Sequence, residues 1–62
     1  QNHKMEELVK QIDAIYAEFK KDAEAQMVKG NKAAGLRARK AALTITGLMK
    51  EFRKVSNEAT KA

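Results

Sequence analysis

The side chains of this chain with an evident chemical use are its cations. Thirteen Lys and Arg stand against eight Asp and Glu in 62 residues, a formal net charge of +5. From Gln1 to Lys29 there are five basic and six acidic residues, whereas from Gly30 to Ala62 there are eight basic residues against Glu51 and Glu58 alone. Lys32, Arg39, Lys40, Lys50 and Lys54 fall opposite the apolar positions of that second segment. Arg37 and Arg53 lie on the flanks of this stripe, Lys29 joins it from the preceding turn and Lys61 extends it. A row of cations suits phosphate, because every phosphate neutralised releases condensed counterions whether or not a base is read. Helices that are merely solvated carry the same pattern, so charge by itself does not choose between the two readings.

Other chemistry is excluded more firmly. Ser56 and the threonines have no histidine partner, there is no thiol, and the carboxylates are spread over helix positions rather than paired in a cleft. With no Cys and one histidine, His3, neither a disulfide nor a Cys/His zinc site can form. No enzyme activity, cofactor, metal or small-molecule substrate is expected. No apolar run is long enough to span a bilayer or to resemble a signal peptide, and an alanine-rich seam offers little bulk for lying on one. A cytoplasmic protein without membrane contact is expected. Tyr16, Phe19 and Phe52 are assigned to the core face, which leaves no platform for stacking unpaired bases. No cluster of Asn, Gln or Arg opens a recognition helix. Contact with the backbone of duplex DNA, with little sequence preference, is what remains.

The elements that must position these cations are two helices. Apolar residues recur at Met5, Leu8, Val9, Ile12, Ile15, Tyr16, Phe19, Ala23 and Met27, a spacing of three and four that predicts a helix over about 5–29. Gly30 suits a left-handed C′ position and Asn31 an N-cap. The turn is therefore 30–31, and so short a connection folds the helices back antiparallel. A second helix follows over about 32–60, with a stricter seam at Ala34, Ala38, Ala41, Ile45, Leu48, Phe52, Val55 and Ala59. Folding at the turn pairs positions whose numbers sum to about 61, setting Met27 against Ala34, Ala23 against Ala38, Phe19 against Ala41 and Ala42, and Leu8 against Phe52. Gln1 to Lys4, ahead of Met5, read as a cloning remnant, so 5–62 is taken as a single helical-hairpin domain.

A lone hairpin of this kind leaves Val9, Ile15, Leu36, Leu43 and Met49 wet, which predicts a homodimer forming a four-helix bundle. The fold class is thus all-α, an antiparallel two-helix hairpin of coiled-coil type. The runner-up function is a helical protein-interaction or assembly module with no direct contact to nucleic acid, its charge serving solubility.

The run Lys29-Gly30-Asn31-Lys32-Ala33-Ala34, then Arg37 and Arg39, then Lys50-Glu51-Phe52-Arg53-Lys54-Val55-Ser56, resembles the chlamydial-type histone-like (linker-histone-like) family and its Bacteroidetes relatives. The resemblance covers most of the chain. It implies a nucleoid-associated protein that binds and compacts DNA with little sequence preference. On the matching positions, it implies DNA contacts at Lys29, Lys32, Arg37, Arg39, Lys50, Arg53 and Lys54, to which the stripe adds Lys40. Chlamydial members continue into a long Lys- and Ala-rich tail, which this sequence lacks after Ala62; the similarity is accordingly to the short Bacteroidetes type, with weaker binding expected. The segment Thr44-Ile45-Thr46-Gly47 is also less charged than the family pattern.

Overall fold

The computed structural model describes residues 3–61, which form two helices, α1 (His3–Lys29) and α2 (Lys32–Lys61). They pack against each other as an antiparallel hairpin measuring 48 × 14 × 12 Å. Helix α1 starts at His3, two residues ahead of Met5, and Lys4 Nζ lies 3.9 Å from Glu51 Oε2 on α2. Gln1, Asn2 and Ala62 fall outside the described residues.

The turn works as its two residues dictate. Gly30 has φ 66° and its N–H donates to the Gln26 carbonyl at 2.9 Å, closing α1 with a left-handed cap. The N–H of Asn31 reaches the Ala25 carbonyl at 3.4 Å, and the Asn31 side-chain Oδ1 accepts from Ala34 N–H at 3.0 Å, capping α2 at its third residue. A Cβ on Gly30 would meet nothing within 4 Å, so a substitution there is opposed by backbone conformation alone. Gly30→Ala is expected to destabilise the hairpin by about 1–2 kcal/mol, read as a lower midpoint in urea unfolding followed by circular dichroism; an unchanged midpoint would contradict the left-handed cap.

The inter-helix seam repeats every seven residues on both helices. On α2 it runs as the apolar spacing requires: Ala34 and Ala38 are buried and Ala41, Ile45, Leu48, Phe52 and Val55 half-buried, while Ala59 is exposed beyond the reach of α1. On α1 the half that faces the chain ends follows Met5, Leu8, Ile12, Ile15 and Phe19, of which Leu8 is buried and the rest half-buried. Towards the turn the structure departs from the apolar stripe. The seven-residue repeat continues through Asp22 and Gln26, and Met27 is left 78% exposed rather than packed on Ala34. Asp22 is covered there because Arg37 reaches across to it, Nε to Oδ1 3.2 Å, and its side chain is only 17% exposed. Gln26 lies over Gly35, where an added Cβ would come within 2.6 Å of its side-chain amide. Tyr16 is a second correction. It sits on a flank of the hairpin, half-exposed, its ring stacked near Phe19 (centroids 6.5 Å apart) and approached by Lys20 Nζ at 5.5 Å. Ile15, expected to stay wet, is half-buried in the seam.

The core that results is thin. Only Leu8, Ala34 and Ala38 are buried apolar residues among those described. A domain of this size seldom gains more than about 3–5 kcal/mol from one such core.

Candidate nucleic-acid interface

Seven residues make two turns of helix, so residues seven apart share a line along it. On α2 the face opposite the seam therefore carries three parallel lines. Lys32, Arg39, Thr46 and Arg53 form one edge, and Lys40, Gly47, Lys54 and Lys61 the other. Between them runs a midline of Leu36, Leu43, Lys50 and Asn57, all exposed. At 1.5 Å per residue the face is roughly 43 Å long, longer than the ~34 Å of one duplex turn.

All eight cations expected from the sequence are exposed, but they do not share one situation. Arg37 belongs to the side of the hairpin rather than to this outward face, and its guanidinium is held by Asp22. The ion pairs among the described residues are Lys4–Glu51 and Arg37–Asp22, with His3 beside Glu6, so Lys29, Lys32, Arg39, Lys40, Lys50, Arg53 and Lys54 have no carboxylate partner among them. The two acids of α2, Glu51 and Glu58, are seven apart on the same side as Arg37, away from the cationic face. An unneutralised cationic surface is therefore segregated on one face of one helix.

Its placement along α2 is not what helix stability asks for. Lys32 occupies the first turn, where no acidic residue is present and where the positive end of the helix dipole disfavours a cation. Lys29 is exposed in the last turn of α1 on the other side of the two-residue connection. Lys29 there offsets the negative C-terminal end of α1, so the combination at this end of the hairpin that attracts an anion is Lys32 with the N-terminus of α2. The charge is also divided. Residues 41–49 carry none, so Arg39 and Lys40 are separated from Lys50, Arg53 and Lys54 by a neutral stretch.

The remainder of the surface offers less to chemistry. No group of three or more His, Cys, Asp or Glu among the described residues is placed to hold a metal ion. No described helix is long and apolar enough to cross a membrane. Shallow hollows lie along one flank, one lined by Met5, Val9 and Phe52 with Glu6 and Lys10, and the next by Val9, Ile12, Tyr16 and Met49 with Lys10 and Asp13. That flank is mainly apolar, and the opposite one carries Lys4, Arg37 and Glu51. The signal for it in the sequence was Val9, Tyr16 and Met49 standing one place beyond the seam.

A family model described as histone H1-like protein Hc1 matches residues 6–62. Neither a curated protein nor a solved structure matches the chain.

Proposed function

The chain belongs to the histone H1-like Hc1 family, a family of DNA-packaging proteins, and from that premise we propose that its hairpin binds duplex DNA through the outward face of α2. The observation that carries this reading is the set of exposed cations on that face with no acidic partner among the described residues. Lys32, Arg39, Lys40, Lys50, Arg53 and Lys54 contact phosphates, with Lys29 adding to the end beside the turn. Arg37 chiefly ties the helices together. Binding is insensitive to base order in its main term, because phosphate contacts position a protein without specifying sequence.

The protein acts in this reading as a homodimer in the nucleoid, and the dimer contributes to compaction. The mainly apolar flank of Val9, Tyr16 and Met49, edged by Lys10 and Asp13, supports self-association, since a thin core next to exposed apolar side chains is the usual condition of a domain that completes itself with a second copy. Two hairpins joined along that flank form a four-helix bundle and leave both cationic faces in solvent. The same flank is the one observation that favours the competing reading, a module recruiting a different helical protein.

Fluorescence anisotropy of labelled duplexes over a salt series tests the main reading. With about six phosphates engaged, log affinity should fall against log salt with a slope of about −5, and scrambled duplexes of one length should bind within a few-fold of each other. Absence of binding at low salt by protein of confirmed helicity would refute it.

A further inference from the structure

The neutral middle of the cationic face is its least expected part, because a surface meant only for phosphates gains by being charged throughout. Three residues make up this middle on the outward side: Leu43 on the midline, with Thr46 and Gly47 at its two edges. Leu43 is 75% exposed, the most exposed leucine of the hairpin, and nothing in the fold requires it there. Thr46 donates its hydroxyl to the Ala42 carbonyl at 2.9 Å, so its hydrogen is spent on the helix and its methyl remains. Gly47 costs helix stability relative to alanine, yet an added Cβ would meet nothing within 4 Å. No internal contact explains a glycine at that point; an external surface approaching the backbone does.

The flanking cations set the scale of that surface. The two cationic edges lie about 100° apart around α2, and the major groove of B-DNA, about 12 Å wide and about 8.5 Å deep, admits a helix lying along it. Arg39 and Arg53 can thus engage one phosphate rim and Lys40 and Lys54 the other, with the midline at Leu43 facing the groove floor. That floor displays one apolar group, the C5 methyl of thymine. Leu43 and Thr46 present methyl groups there, and Gly47 lets the helix come close.

We infer that α2 lies along the major groove of duplex DNA with Leu43, Thr46 and Gly47 towards the base edges, and that Leu43 gives the protein a mild preference for pyrimidine C5 methyl groups. This rests on the duplex-binding reading and adds to it a groove, a helix orientation and a chemical group recognised. It also separates Leu43 from self-association, which uses the other flank.

The test compares duplexes that differ only in major-groove methyls, using the full chain at one salt concentration. An alternating A·T duplex should bind about 3- to 10-fold more tightly than the same duplex with uracil for thymine, given roughly 3- to 4-fold for each methyl covered. Replacing cytosine by 5-methylcytosine in a G·C duplex should strengthen binding in the same sense. Leu43→Ser should remove both differences while helicity, dimer mass and the salt slope stay as in the unmodified protein. Gly47→Met, which the open space around Gly47 allows, should keep the fold and weaken binding to all these duplexes. Equal binding to methylated and unmethylated duplexes with the salt slope intact overturns the groove assignment and leaves backbone binding standing. Loss of dimer mass in Leu43→Ser overturns it too, by returning Leu43 to the interface between copies. Failure to bind any duplex removes the reading beneath it.

Discussion

Reversing Arg39 and Lys54 together (Arg39→Glu, Lys54→Glu) is expected to lower affinity for a random duplex by on the order of 10²-fold or more at about 0.1 M salt, and to make the salt slope shallower by about 2. The two residues lie on opposite edges of the cationic face and on opposite sides of its neutral middle, so the pair removes one contact from each phosphate rim. A charged hydrogen bond contributes about 1.5–3 kcal/mol and each phosphate about 0.9 of slope. The matched control is Lys10→Glu with Lys21→Glu on α1; Lys10 lines the hollow at Val9 and Met49, so the dimer mass of this variant is measured alongside. Each reversal removes two charges, so both variants fall from +5 to +1. If net charge alone attracted DNA, the two variants would bind equally; if the face of α2 is the site, the α1 variant loses less than about tenfold, from diminished steering. Arg37 is a poor choice for such a test despite its place in the family pattern. Its guanidinium is 3.2 Å from Asp22, and a glutamate there would set two carboxylates against each other across the hairpin. Equal losses in the two charge-matched variants would place the interaction elsewhere than on this face.

The contrast between Arg37 and Arg39 also shows where the sequence was legible and where it was not. Both are arginines in a basic run, and linear spacing puts both near the stripe. What separates them is Asp22, fifteen residues away, which only the folded hairpin brings into reach. The turn was readable because its determinants are local: a glycine for a positive φ and an asparagine oxygen for the third N–H of the next helix. The α2 seam was readable because small and large apolar residues coincide with the seven-residue repeat from Ala34 to Val55. The turn-proximal end of α1 was not, since following hydrophobicity leads past Ala23, which is half-buried, to Met27, which is exposed, while the helix geometry brings Asp22 and Gln26 to α2. Polar residues take those positions because Arg37 and Gly35 accommodate them from the other helix. Tyr16 was misplaced for a related reason: an aromatic ring one place beyond the seam reads as core in a helix pattern, yet two helices are too few to cover it.

What the hairpin lacks sets up the second large expected effect. Val9→Asp combined with Met49→Asp is expected to weaken self-association by at least about 10³-fold, since an unpaired charge buried at an interface costs about 3–5 kcal/mol. Both side chains line the hollow shared with Ile12 and Tyr16, and at 52% and 45% exposed they are wet enough to change without opening the seam of the hairpin itself. Sedimentation equilibrium should give twice the chain mass for the unmodified protein and the single mass, 6.9 kDa, for the variant. The thermal transition carries a second signature. If dimerisation completes a core in which Leu8, Ala34 and Ala38 are the buried apolar residues among those described, the melting temperature of the unmodified protein rises with concentration by mass action, and that dependence disappears in the variant as its helix content falls. Leu36→Ser with Leu43→Ser removes comparable apolar surface from the outward face of α2 and should leave the mass unchanged, because two-fold association along the Val9 and Met49 flank keeps that face free. A monomeric unmodified protein with a concentration-independent transition would refute the dimer. A loss of mass in the Leu36 and Leu43 variant would instead move the interface onto the cationic face, and the two hairpins would then hide from DNA the surface that carries its contacts.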